Sequence, residues 1–188
     1  MDKGLLSALF LKCNGIGKRG RIHAMPVISL SSAIALTGKS ERTLWRLVAE
    51  GSVQRELVQG KALFALASLG EFLPPCPLET EAYFTLIEAA DQGNAEAQTD
   101  LGLHLLDMFR KSGKFRDAAF HWLELAAAQD CADAMNWLAR CHAQGLGVTQ
   151  DDEQSLMWIS RAAALGDKIS RAQMQGLVGK TLNGRAGP

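Results

Sequence analysis

The sequence predicts a mainly α-helical protein in which a small N-terminal domain precedes a short α-solenoid of antiparallel helix pairs. Two observations lead to this prediction. The second half of the chain repeats itself, since Trp122 and Trp158 lie 36 residues apart within similar surroundings. Repetition at such a period is typical of stacked helical units. The first half has no such repeat and ends at a proline-rich stretch, residues 74–78, which predicts a linker between two domains.

The first 24 residues are poor material for a folded domain. A basic, glycine-rich segment at 14–21 has no apolar period. We therefore expect residues 1–24 to be a disordered arm or translated sequence upstream of the native start, because the first patterned segment begins just after Met25. A basic arm that grips DNA phosphates is the alternative.

Two short helices are predicted next. A helix at 31–37 ends at Gly38, and Ser40 is placed to cap a second helix over 41–50, which Gly51 ends. Two short helices that a tight turn joins form a helix-turn-helix.

A hairpin and a last short helix complete the N-terminal domain, which we place at residues 25–73. Residues 53–58 and 62–65 flank Gln59-Gly60 and predict two strands, or a wing. A helix at 68–73 follows and stops at the prolines.

This order resembles the winged helix-turn-helix of the MerR and phage excisionase group. The resemblance covers residues 27–73 and implies that the second helix enters a DNA major groove while the wing contacts the backbone. The wing departs from the family because residues 60–66 contain a single lysine, so we expect weak binding by one copy alone. The residues that carry the resemblance are Ser40, Thr43, Leu44, Arg46, Val48 and Gly51.

Arg42 and Arg46 are the main candidates for contacts in the groove. They are four residues apart and therefore share a helix face. Trp45 has two interpretations, namely packing on the wing and stacking against DNA sugar and thymine methyl groups. The predicted DNA-binding residues are Lys39, Ser40, Glu41, Arg42, Thr43, Trp45, Arg46, Arg55 and Lys61.

The repeated half has recurring small and large apolar positions. Alanines let neighbouring helices approach closely, while a tryptophan one turn earlier fills the space between layers. A fainter third copy lies at Ala89, Ala90 and Gly93. The predicted structural signature comprises Ala97, Leu101, Trp122, Ala126, Ala127, Ala134, Leu138, Gly145, Gly147, Trp158, Ala162, Ala163 and Gly166.

The stretch from Ala134 to Gly166 resembles the Sel-one-like repeat, a relative of the tetratricopeptide repeat. It follows the family pattern and departs from it at Ala139, His142 and Ser155. The resemblance covers about residues 79–178 and implies an α-solenoid that contacts other proteins. We expect about six helices there and a frayed tail at 179–188.

A short array does not bury all of its apolar surface, and two arrangements would compensate. The first solenoid helix, with Tyr83, Phe84 and Leu86, could pack against the N-terminal domain, or the chain could form a homodimer.

No catalytic, cofactor or metal site is predicted. The four cysteines form no C-x-x-C pair, and the histidines have no ligand spacing. The acidic triplet that begins at Asp151 is interpreted as a helix cap, and the loop at Gly145 and Gly147 as a turn of the repeat, because no strand precedes it.

Charge divides the chain, with net +5 over residues 1–75 and net −5 over 76–188. Opposite signs suggest two modules with different partners. We therefore expect a cytoplasmic, non-enzymatic regulator that binds double-stranded DNA and recruits or senses a protein, with no membrane span. The alternative is an interaction scaffold whose helix-turn-helix docks protein and does not bind DNA.

Overall fold

The computed structural model describes residues 26–76 and 78–183, and side chains up to residue 176. The arm predicted at 1–24 and residues 184–188 of the predicted tail lie outside these residues, whereas residues 179–183 belong to the last helix and not to a frayed tail. The chain forms two compact units, which divide between Gly93 and Asn94. Each unit is described by itself below.

The N-terminal unit combines a small sheet with short helices. Its three strands form one antiparallel sheet in the order β1-β3-β2, in which β3 pairs with both neighbours. In chain order its elements are β1 (Val27–Ser29), α1 (Leu30–Thr37), α2 (Glu41–Ala49), β2 (Arg55–Val58), β3 (Lys61–Ala65), α3 (Leu66–Leu69), a 3-10 turn (Gly70–Phe72) and α4 (Thr80–Asp91).

Serine caps begin the first two helices. The Ser29 hydroxyl accepts the Ser32 N–H at the start of α1, and the Ser40 hydroxyl accepts the Thr43 N–H at the start of α2. Leu44 is the fully buried residue of α2, so this helix covers the core with one narrow face. The core of the unit consists of Ile28, Ala33, Leu36, Leu44, Phe64, Leu66 and Leu69 and is closed to solvent.

Two features of this unit differ from the sequence reading. Residues 27–29 form a strand on β3, with Ile28 opposite Phe64, where the sequence analysis predicts no strand. The helix predicted at 68–73 begins two residues earlier, at Leu66, and continues as the 3-10 turn. Residues 27–29 form a strand because they pair with β3, which is distant in sequence, and short local patterns do not reveal such pairing.

Helix α4 belongs to the N-terminal unit. The Asp91 carboxylate at its end accepts the Ser29 N–H at 3.0 Å and the Ser29 hydroxyl at 2.5 Å, and it also accepts the Ser32 hydroxyl. The compact unit therefore extends past the predicted linker at 74–78 and includes the first predicted solenoid helix. This agrees with one of the two arrangements anticipated for a short array.

The C-terminal unit is a stack of helices in which each packs on the next. The described part comprises α5 (Ala95–Ser112), α6 (Arg116–Ala128), α7 (Ala132–Gln144), α8 (Asp152–Ala164) and α9 (Lys168–Asn183). With α4, these make the six helices expected between residues 79 and 178. The Asp151 carboxylate caps α8 by accepting the Gln154 N–H at 2.9 Å, and Asp152 and Glu153 occupy its first turn, which confirms the predicted cap.

Candidate functional site

The first helix pair of the C-terminal unit, α5 with α6, is closely packed. Trp122 is 1% exposed and Leu123 is fully buried. Gly102 allows this contact, since a Cβ atom there would lie 2.8 Å from Leu123 Cγ and 3.2 Å from the Ala119 carbonyl oxygen. A helix interior accepts glycine at a cost in stability, and here close approach of the neighbouring helix accounts for it.

The loop between α7 and α8 seals the same pair from the other side. Gly147 has φ +77°, and a Cβ atom there would lie 2.9 Å from Phe120 Cε2 and 3.1 Å from Phe109 Cε1. Two constraints therefore favour glycine at this position: a left-handed backbone and contact with two aromatic rings. The loop is a turn of the repeat, as predicted.

The second helix pair opens onto a groove between α7 and α9, with α8 as its floor. The groove has a volume of about 690 Å³. We call it the α7–α9 groove. Its lining consists of Asp133, Asn136, Trp137, Ala139, Arg140 and Ala143 of α7, Ser155 and Ile159 of α8, and Ile169, Gln173 and Gly176 of α9.

The groove presents an aromatic ring together with charged groups. Trp137 is half-buried, and the Arg140 guanidinium carbon lies 5.0 Å from the centre of its indole ring. Asp133 is exposed one turn before Trp137. On the opposite wall, Ile169 is 63% exposed. An apolar floor beside charged groups suits a chain segment better than a small apolar ligand.

A polar network fixes α9 against α7. The Asn136 amide nitrogen donates to the Asp167 carboxylate at 3.2 Å, and the Ser170 hydroxyl donates to the Asn136 carbonyl oxygen at 2.6 Å. The Ser170 N–H also donates to Asp167, at 2.7 Å. Donation from the backbone and side chain of Ser170 lowers the pKa of Asp167 below its ordinary value of 3.8. The network gives the rim of the groove a defined position.

The predicted signature residues are not equally buried. Trp158 and Ala163 are half-buried, whereas their equivalents Trp122 and Ala127 are closed to solvent. Gly145, Gly147 and Gly166 lie in turns and have positive φ. The remaining signature residues are buried, namely Ala97, Leu101, Ala126, Ala134, Leu138 and Ala162.

The structure places the predicted DNA-binding residues around α2 and the β2–β3 hairpin. Arg42 and Arg46 are exposed on α2, and Arg46 donates to Glu50 at 3.1 Å. No hydrogen bond or ion pair joins Arg42 to another described residue. Ser40 and Thr43 contact each other through their hydroxyl groups at the start of the helix, where Glu41 lies in the first turn.

Trp45 packs on the hairpin. The centre of the Trp45 ring lies 5.7 Å from the centre of the Phe64 ring. The Arg55 guanidinium carbon lies 5.4 Å from the centre of the Trp45 ring. The Trp45 indole N–H donates to Glu41 at 3.1 Å. Of the two interpretations of Trp45, the packing on the wing is the one that this geometry presents.

The two lysines predicted to bind DNA lie in different elements of the N-terminal unit. Lys39 Nζ lies 4.2 Å from the centre of the Phe72 ring, in the turn before α2. Lys61 is exposed at the start of β3, in the hairpin.

Charge on the N-terminal unit differs from the charge of the first 75 residues as a whole. Residues 1–25 hold five Lys and Arg against one Asp, a net +4. Residues 26–93 hold five Lys and Arg against eight Asp and Glu, a net −3. Most of the positive charge that motivated a DNA-binding half therefore lies outside the described residues.

No metal site appears among the described residues, and two of their three cysteines are made less acidic by burial. No three His, Cys, Asp or Glu side chains there are close enough to hold a metal ion. Burial raises the pKa of Cys141 to about 11 and also raises the pKa of Cys76, so both thiols are protonated near neutral pH. No helix in the described part of the chain could span a membrane.

The most informative residues of the groove were absent from the sequence prediction. Trp137 and Arg140 do not recur between the copies, so the repeat pattern does not indicate them. Their spacing with Asp133 along one face of α7 is the signal that could have identified them.

Comparison with known proteins identifies the C-terminal half. The Sel1 repeat family model matches residues 95–131 and 132–167, and the faint third copy at residues 89–93 lies outside both ranges. A crystal structure of a Sel1 repeat protein from Oxalobacter formigenes is similar at 31% identity and a TM-score of 0.45, over 51% of this chain and 71% of that chain. No curated protein matches the chain. Residues 95–167 are two consecutive Sel1 repeats, which indicates a protein–protein interaction module.

Proposed function

We propose that this protein is an adaptor that binds a segment of a partner protein in the α7–α9 groove. The observation that carries the proposal is the groove itself, an open apolar channel of about 690 Å³ in the second of two Sel1 repeats. Solenoids of this kind generally present extended concave surfaces to their partners.

Trp137 is the expected centre of the interaction. Tryptophan and arginine are enriched among the residues that dominate binding energy at interfaces. Trp137 and Arg140 stand side by side on α7, and Ile159 and Ile169 supply apolar surface opposite them. The partner segment therefore presents a large apolar side chain with an acidic group near Arg140.

Site-specific photo-crosslinking in cells of the native organism tests this proposal. A benzophenone amino acid is placed at Gln173, in the groove, and at Glu124, which is exposed on α6, as the matched control. We expect a discrete crosslinked product from position 173 alone, and we expect Trp137→Ala in the same chain to remove it. Equal products from both positions, or a product that Trp137→Ala leaves unchanged, would contradict the proposal.

The second candidate function is DNA binding by the N-terminal unit, which would make the protein a transcriptional regulator. The observation that favours it is the order helix, turn, helix and hairpin, with Arg42 and Arg46 exposed on one face of the second helix. Arg42 has no partner among the described residues, and Arg55 and Lys61 lie in the hairpin. The net charge of −3 over residues 26–93 predicts low affinity for a single copy.

Fluorescence anisotropy with the full chain and labelled genomic fragments at low salt tests this second function. Arg42→Ala with Arg46→Ala should cost about 1–3 kcal/mol if these side chains contact base edges. Arg110→Ala, an exposed arginine on α5, is the control and should change nothing. Absence of binding at low salt would assign the N-terminal unit to protein docking.

A further inference from the structure

Helix α8 has a second face, which points away from the groove. Ser155 and Ile159 line the groove, so residues about half a turn away lie on the opposite side of the helix. Leu156 is 44% exposed and Met157 is 42% exposed. We call this opposite side the α8 face, and it comprises the exposed residues Glu153, Leu156, Met157, Arg161 and Ala164.

The first repeat shows what normally covers such a face. Phe120, 36 residues before Leu156, holds the equivalent position on α6 and is 9% exposed. The loop that follows α7 covers it, because Gly147 approaches the Phe120 ring. A loop of the second repeat therefore covers this position in the first repeat. Leu156 has no such cover among the described residues.

Charges along the α8 face are arranged so that the face complements itself. Glu153 lies in the first turn of α8, and Arg161 lies in its last turn. If two copies of this helix pack antiparallel, each acidic end meets the basic end of the other. Such a pairing brings Glu153 opposite Arg161 and brings Met157 close to its own counterpart at the twofold axis.

Two further features fit close contact between helices. Ala164 is a small, exposed residue on this face, so a second helix backbone can approach there, whereas Ser160 is half-buried and donates to the Met174 sulfur of α9 at 3.6 Å. Arg161 donates to Asp130 at 3.0 Å within the chain, but both side chains are exposed. An exposed ion pair contributes little and does not prevent Arg161 from meeting a second partner.

We propose that the α8 face binds the same face of a second copy of this chain, as an antiparallel pair of helices about a twofold axis. The interaction goes beyond the proposed function because it leaves the α7–α9 groove free for a partner protein. One helix face per copy buries a small area, so the dimer is weak, with a dissociation constant in the micromolar range of transient interfaces.

Sedimentation velocity of the full chain over a concentration series tests the proposal. We expect a monomer–dimer equilibrium for the wild type. Met157→Glu places like charges together at the axis and should raise the dissociation constant at least about tenfold. Leu125→Glu is the matched control, because Leu125 lies on α6 and is 38% exposed, and it should leave the equilibrium unchanged.

Charge reversal distinguishes this specific pairing from non-specific association through an apolar surface. Glu153→Arg alone and Arg161→Glu alone should each weaken the dimer, and the two together should restore it, because the opposite charges again face each other. Circular dichroism of each variant checks that the fold is kept. A strict monomer up to several hundred micromolar would overturn the proposal and assign the face to a different protein. A dimer that both Met157→Glu and the charge reversals leave unchanged would also overturn it.

Discussion

The two Sel1 repeats carry the same sequence signature but differ in how their helices are covered. In the first repeat Trp122 and Leu123 are closed to solvent, whereas their equivalents Trp158 and Ile159 in the second repeat are half-buried. The signature therefore specifies the local helix pair and does not by itself specify burial. Burial depends on the helix or loop that packs on the pair from the next unit.

The difference extends to the contact inside each pair. Gly102 allows Leu123 to approach α5 closely, while the equivalent position in the second repeat is Ala139. The first repeat consequently forms a tight core, and the second leaves surface for other molecules. The proposed partner site therefore lies in the repeat whose helices are less completely covered.

Removal of the two tryptophans should give the largest difference between the repeats. We expect Trp122→Ala to lower the free energy of unfolding by about 3–5 kcal/mol, because it leaves a cavity in a closed core. Trp158→Ala should cost only about 1–2 kcal/mol, since part of that ring already contacts water. Urea denaturation of both variants measures the two values, and equal losses would contradict the distinction.

The loop that seals the first repeat should be the next most sensitive feature. Gly147→Ala forces a Cβ atom against the Phe120 ring at positive φ, so we expect a loss of about 2–3 kcal/mol. Gly113→Ala is the control, because Gly113 has φ +72° but no atom within 4 Å of an added Cβ. The control should lose about 1 kcal/mol from backbone strain alone. Similar losses in both variants would show that the contact with Phe120 contributes nothing.

Substitution of Gly102, at the contact between α5 and α6, should change the free energy of unfolding less. Gly102→Ala should destabilise the protein by about 1–2 kcal/mol, even though alanine is the better helix former, because Leu123 and the Ala119 carbonyl group occupy the space. A gain in stability would mean that α5 and α6 separate easily, and thermal unfolding distinguishes the two results.

Protonation of Asp167, at the rim of the α7–α9 groove, should have the smallest effect on stability. The pKa of Asp167 is lower in the folded protein than its ordinary value of 3.8, so its carboxylate stabilises the fold above that value. This contribution is lost as the pH falls through the lowered pKa. Thermal unfolding from neutral pH to about pH 2 should therefore show a steeper acid loss for wild type than for Asp167→Asn, which keeps a capping side chain without that titration. If stability falls equally with pH in wild type and in Asp167→Asn, the Asp167 carboxylate does not stabilise the fold.

The sequence predicted most helices because their periodic patterns and caps are local. Ser40 and Asp151 are placed one residue before their helices, where a cap is recognisable. The position of α4 was harder to predict, since it depends on Asp91 meeting Ser29 across 62 residues. The half-burial of Trp158 was not predictable either, because its local sequence matches that of Trp122.

The candidate site was predictable only in part. The repeat itself is recognisable from spacing, but Trp137 and Arg140 do not recur between the copies, so repetition does not reveal them. The net charge of +5 over residues 1–75 gives little support to DNA binding by the folded unit. It combines the basic residues 1–25 with a unit at 26–93 whose net charge has the opposite sign.

Amide hydrogen exchange of the intact chain in dilute solution tests most directly the claim that the first repeat is closed and the second is open. Mass spectrometry of peptides from α6 and α8 reports the opening of each helix separately. We predict slower exchange in α6 (Arg116–Ala128) than in α8 (Asp152–Ala164), and we predict that α8 alone gains protection as the protein concentration rises. Equal protection of both helices, or slower exchange in α8 at low concentration, would contradict the account.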